Sequence, residues 1–143
     1  MDAAALIKKH EGLSLKVYED NGHSAAGYGH DFLPGEAPPI GTTVTIDQCE
    51  TWFQNDFNSA QANAKADVPC FDQLNEARQA VLIDMAYELG RGGLAAFHNF
   101  IRALTMCAWS EAALQMKASK WATQVPEREA EDATIMLTGE FPC

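Results

Sequence analysis

No run in this 143-residue chain approaches the length of apolar sequence, roughly 20 residues, that a helix needs to cross a bilayer. Basic residues are scarce as well: ten Lys and Arg stand against twenty Asp and Glu, a net charge of −10. A surface of that sign repels nucleic acid and anionic membranes, so neither nucleic-acid binding nor membrane insertion is expected. The four cysteines, Cys49, Cys70, Cys107 and Cys143, show no C-x-x-C spacing, which leaves a zinc site without support. They allow three complete pairings, and both readings, free thiols or periplasmic or extracellular disulfides, stay open. There is no internal repeat and no low-complexity tract.

What is present is ordinary globular material, 47% hydrophobic and 21% charged, in a length that suits one domain. The opening "MDAAALIKKHEG" has too short an apolar part, too soon charged, for a secretory signal, so any export is expected to use another route. Asp2 can cap a first helix ending near Glu11, with Gly12 placed for a left-handed stop. From Leu13 the period changes to two, with Leu13, Leu15 and Val17 on one face, which predicts a strand. Asn21-Gly22 is a hairpin signal, and a second strand is predicted from Ala25 to His30.

After a Pro- and Gly-rich loop, "TVTI" at 43–46 reads as a short third strand. Asp47 and Glu50 have capping-box spacing, and Cys49, Trp52, Phe53, Phe57, Ala60 and Ala64 recur at helical intervals until Pro69. Further helices are predicted from Leu74 to Gly90, from Leu94 to about Met106, after a Ser110 cap, and from Pro126 to Gly139. Trp109 and Trp121 read as core. The fold class is α+β, with a small N-terminal sheet, a long connecting helix and a helical body.

Two carboxylates sit at structural boundaries. A glutamate at a helix C-terminus feels the negative end of the helix dipole, so Glu11 should hold its proton more tightly than usual, which suits a general acid. Asp20, in a hairpin turn, has no such reason and is expected to be ionised. Carboxyl groups driven apart in this way are what glycoside hydrolysis uses. On the pattern alone, a plain surface Glu and a plain turn Asp explain the same residues.

The wording of the segment resembles a known family. "HEGLSLKVYED" followed by "GYGH" is similar to the motif of the phage-type lysozymes, the endolysin muramidases of glycoside hydrolase family 24. "FQNDF", "MAYELGRGGLAAFHNF", "WSEAALQMKASKW", "VPERE" and "TGEF" follow in the family's order, so the resemblance covers nearly the whole chain. It implies a single two-lobed lysozyme-like domain over 1–143, with a small β lobe at 12–56 and a helical lobe from 1–11 and 66–143. It implies a glycan cleft between the lobes and inverting hydrolysis of the β-1,4 bond between N-acetylmuramic acid and N-acetylglucosamine. Glu11 would be the general acid and Asp20 would assist the water, with no cofactor and no metal. Arg128 would pair with Glu11, and His30 with Asp56 as fold support. Tyr87, Glu88, Lys120 and Gln124 match cleft-lining positions, where sugar contact and plain packing are both open readings. His10, His23 and His98 read as packing or surface residues.

The partner so implied is bacterial peptidoglycan, met by a monomer made in the host cytoplasm that acts on the wall after release or delivery. Two features depart from the family pattern. Its threonine ahead of "GYGH" is Ala25 here, and the turn before it is one residue shorter; that hydroxyl is expected to help Asp20 hold the water. Ser24 would replace it only if a bulge or altered turn brought it inward, because adjacent strand residues face opposite ways. The acidic surface would also not be steered toward an anionic envelope. A binding module with weak or no turnover is therefore the competing expectation. The closing "TGEFPC" leaves a Cys107–Cys143 bridge as one expectation for anchoring the tail.

Overall fold

Asp2 does cap the first helix, its carboxylate accepting from the Ala5 N–H at 2.9 Å, and α1 runs Ala3–Glu11 before Gly12 breaks it with a positive φ of 70°. The computed structural model describes residues 1–142. The sheet that follows is antiparallel in the order β1 (Ser14–Asp20), β2 (His23–Gly27) and β3 (His30–Asp31). Asn21 and Gly22 join the first two strands with φ of 49° and 88°, both positive, as a two-residue turn of this twist requires.

The sheet departs from expectation in three ways. The second strand stops at Gly27, because Gly27 and Gly29 turn the chain at φ 66° and 71°, and His30 opens β3 instead. Leu13 and Leu15 are 45% and 40% exposed, whereas Val17 is buried. The register slips between Ser14 and Tyr18, so alternation does not survive there. "TVTI" is not a strand: Thr43 makes one isolated bridge to Lys16, and Thr45 caps the next helix. The Thr45 hydroxyl accepts from Gln48 N–H while the Gln48 side chain returns to Thr45 N–H. That reciprocal box takes the place of the one read at Asp47 and Glu50, since a hydroxyl at the cap and an amide three residues on complete both bonds.

Helix α2 (Ile46–Asp67) spans the molecule. Its first turns bury Cys49 against Val17, Ala26 and Val44, with Phe32 and Trp52 packed alongside, to close a small cluster under the sheet. Phe53, Ala60 and Ala64 join the larger helical core. At the centre of that core lies α3 (Glu76–Leu89), buried continuously from Ala80 to Ala86. Around it pack α1, α2 and α7 (Pro126–Thr138), the last begun by Pro126 and closed by Gly139.

The stretch read as one helix from Leu94 is a 3-10 turn at Leu94–Ala96 and then α4 (His98–Thr105), because Phe97 leaves helical geometry between them. Ser110 is no cap: α5 (Trp109–Lys117) has already begun, and Ser119 instead caps the short α6 (Lys120–Gln124), unread in the sequence. Trp121 is core, as expected. Trp109 is only half-buried at the core's edge, where the Arg78 guanidinium lies 3.8 Å from its ring centre. Among the described residues, Cys49, Cys70 and Cys107 form no disulfide with one another. The expected Cys107–Cys143 bridge falls outside the described residues.

Candidate active site

Glu11 is the last residue of α1, where the helix delivers its side chain toward Gly29 and Arg128. A Cβ at position 29 would collide with Glu11 Oε1, so "GYGH" needs glycine there for the backbone to approach the carboxylate. Arg128 Nη1 donates to Glu11 Oε2 at 2.5 Å and to Glu88 Oε2 at 3.2 Å. Burial raises the pKa of Glu11 most strongly; Arg128 opposes it, and the nearby charges of Glu88 and Asp84 reinforce it. The direction agrees with the sequence reading, but the main cause is loss of solvent, which acts against an ionised carboxylate wherever it sits on a helix.

Cross-strand partners share a face of a sheet, as do alternate residues of a strand. The register pairs Tyr18 with Ala25, Asp20 with His23, and Ala25 with Asp31. One face therefore carries Tyr18, Asp20, His23, Ala25 and Asp31. The other carries Val17, Ala26 and His30, which close on the small cluster, together with Glu19 and Ser24. Burial pushes the Tyr18 phenol upward, and the charges of Asp20, Glu11 and Asp31 add to the rise. Asp20 itself is exposed at the strand end.

Ser24 thus lies on the face opposite Asp20, and the irregularity of the hairpin falls in β1, away from it. Ala25 sits on the face of Asp20, wholly buried and without a hydroxyl. Asp31, which the sequence reading passed over, stands across from Ala25; burial raises its pKa, with His23 opposing and Asp20 adding to the rise.

His30 Nδ1 lies 2.7 Å from Asp56 Oδ2, and its ring stacks on Trp52 at 5.1 Å, which fastens β3 to α2. Tyr87 donates its hydroxyl to the Tyr28 carbonyl at 2.6 Å and lines a cavity of about 190 Å³ together with Gly29, Asp31 and Asp56. Glu88 is beside Glu11 through Arg128. Lys120 and Gln124 are placed elsewhere, on a cavity of about 410 Å³ with Phe97 and Trp121. The two cavities reach neighbouring residues at the end of α3, Leu89 in one and Gly90 in the other.

Deeper than Glu11 lies a group that the sequence did not signal. Asp84, with no exposed area, accepts from Arg128 Nε at 3.1 Å and Nη2 at 2.7 Å, and lies 2.9 Å from His10 Nδ1. His10 is thus part of a buried ion cluster. These bonds hold Asp84 ionised, with its pKa lowered to about 2, whereas burial and the Asp84 charge drive Asp132 the other way. Asp132 is fully buried, neither of its oxygens has a donor among the described residues, and burial beside Asp84 favours its protonated form. A nitrogen of His10 and oxygens of Asp84 and Asp132 come within 4.8 Å of one another, spacing a metal ion would accept. The Arg128 guanidinium already occupies the Asp84 oxygens, however, and a divalent cation would sit against that fixed charge.

A family profile described as phage lysozyme matches residues 8–131. The chain belongs to the phage lysozyme family. It is 27% identical to the pre-baseplate central spike protein Gp5 of Enterobacteria phage T4, over 99% of this chain but only 28% of that protein's length. The probable T4-type lysozyme 2 of Dictyostelium discoideum is 26% identical, with 94% of this chain and 92% of that one covered. The peptidoglycan hydrolase gp36 of Pseudomonas phage phiKMV is 32% identical over 79% of this chain and 12% of its own. Phage lysozyme membership accords with the α+β architecture of a small three-stranded sheet and a helical body.

Proposed function

We propose that the protein is a muramidase that hydrolyses the β-1,4 bond between N-acetylmuramic acid and N-acetylglucosamine in bacterial peptidoglycan. Membership of the phage lysozyme family supports the coarser reading, a peptidoglycan hydrolase, and so does the likeness to a phage hydrolase of that name. The observation that carries the finer one is Glu11: burial raises its proton affinity while its side chain keeps 14% of its exposure. A carboxyl group in that state can protonate the glycosidic oxygen as the bond to the anomeric carbon breaks. Asp20, exposed at the end of β1, would assist a water attacking from the opposite side, with inversion of configuration and no cofactor.

Arg128 fixes the Glu11 carboxylate by direct contact, and the close approach of Gly29 limits the rotamers it can adopt. Tyr87 and Glu88 flank the same region and are the nearer candidates for sugar contact; Lys120 and Gln124 would meet the polymer further along. The protein would work as a monomer, on the cell wall, after release or delivery. No helix among the described residues is long and apolar enough to cross a membrane.

A second reading, a glycan- or protein-binding module with little turnover, is favoured by one feature: the position of the family's threonine on the Asp20 face is Ala25, which has no hydroxyl, and Ser24 faces away. Reducing-end release and product analysis on purified peptidoglycan separate the two. Hydrolysis by the native protein that Glu11→Gln lowers by a factor on the order of 10² to 10⁴ supports the enzyme. Binding without product supports the module. Ala25→Thr should raise a slow activity, and an unchanged rate counts against the missing hydroxyl as its cause.

A further inference from the structure

The buried cluster below Glu11 has no part in proton donation or water attack, yet it occupies a place in the middle of α3 that a core helix ordinarily fills with an aliphatic residue. Arg128 is gripped from beneath by Asp84 through Nε and Nη2, and only its Nη1 is left to face Glu11 and Glu88. One guanidinium charge is thus divided between a carboxylate that is always buried and one that must carry a proton to act. In a medium of low dielectric, an uncompensated guanidinium in contact with Glu11 would favour its ionised form, and a general acid would be lost.

We propose that Asp84 is a positioning residue for the general acid: it anchors the Arg128 guanidinium and takes up its charge, so that Glu11 is oriented by Arg128 without being ionised by it. The inference rests on the reading of Glu11 as proton donor. Glu11 is faced by Arg128 from α7, by Glu88, Asp84 and Tyr87 from α3 and by Tyr18 from β1. Asp84 is faced by His10 from α1 and by Arg128 and Asp132 from α7, and Glu131 reaches His10 Nε2 at 3.3 Å. Within this set Asp84 is the ionised carboxylate without solvent contact, so its charge is the least screened of those that bear on Arg128. Asp132, whose protonated form is favoured by burial and by the Asp84 charge, would add little charge and, once protonated, could donate to Asp84.

The test is a carbon-13 carboxyl titration of the native protein, Asp84→Asn and Asp132→Asn, run beside the pH profile of kcat/KM on peptidoglycan. In Asp84→Asn the Glu11 midpoint should fall by about one pH unit, a tenfold loss of its protonated form above the midpoint. The basic limb of kcat/KM should move down with it. Asp132→Asn, which can still donate to Asp84, should leave the Glu11 midpoint in place; an equal fall there would assign the charge to Asp132 and overturn the proposal. An unchanged Glu11 midpoint in Asp84→Asn also overturns it. Should Asp84→Asn not fold, the native protein decides: Asp84 must stay ionised well below its ordinary 3.8, and titration at or above that value is the contrary result. If the Glu11 midpoint moves as stated but Glu11→Gln still hydrolyses glycan, the hold of Asp84 on Glu11 stands and the acid role of Glu11 falls.

Discussion

Replacing Arg128 by Met keeps a long unbranched chain in the same channel and removes the one cation that Glu11, Glu88 and Asp84 share. Breaking a buried ion pair from one side costs about 3–5 kcal/mol, because the partner is left charged and dry. For a domain of this size that corresponds to a fall in Tm of about 10–20 °C at neutral pH. The pH dependence has a definite sign. In the native protein Asp84 lies at about 2, under its ordinary 3.8, so the stability it contributes is present above pH 3.8 and is lost as pH falls toward 2. That contribution is roughly 2 kcal/mol. Glu11 runs the other way: its pKa is raised above 4.5, so its ionisation opposes folding as pH rises through the folded value. Without Arg128 both carboxyls bind protons more readily, and the stability gap between native and variant protein should narrow as pH falls through those raised midpoints. Thermal unfolding followed by circular dichroism at neutral pH and near pH 4, on both proteins, measures it. A fall of less than about 3 °C at neutral pH, or a gap that widens toward acid, would refute the reasoning.

Gly29→Ala adds a methyl group against Glu11 Oε1 at a φ of 71°. It should cost about 1–2 kcal/mol in backbone strain and displace the carboxylate, lowering kcat on the order of 10²-fold, measured by product release beside Tm. Gly22→Ala, at φ 88° with open space around it, should show the strain alone: about 1–2 kcal/mol of stability lost, read as a lower Tm, with kcat retained. Tyr87→Phe removes the 2.6 Å bond that holds the Tyr28 carbonyl, and should cost about 1–3 kcal/mol in denaturant unfolding. In the native protein kcat/KM should decline as pH rises through the elevated midpoint of Glu11; a rise across that range would contradict its acid role.

Much of the frame was legible because its signals are local. Asp2, Asn21-Gly22, Pro126 and Gly139 each act within one turn of chain, and each stands where its chemistry placed it. Errors arose where two local signals competed. The β-branched run "TVTI" yielded to the Thr45–Gln48 box, and the alternation of Leu13 and Leu15 was broken by a slip in register that only pairing with β2 defines. Ser110 lost its expected cap role because α5 begins one residue earlier, at Trp109, and Ser119 caps the separate short α6.

The sequence by itself determined which groups are proposed for the chemistry of the candidate site: the carboxyl groups of Glu11 and Asp20, the arginine at 128, the glycines of "GYGH", and the absence of a hydroxyl at Ala25. Tertiary structure alone decided how those groups are charged. The proton affinity of Glu11 is raised because packing withdraws it from water, and the buried carboxylates at 84 and 132 diverge because helices distant in the chain bring them together beside one guanidinium. Proton affinity depends on solvent exclusion and on fields from groups far apart in sequence, and neither exists until the chain has packed.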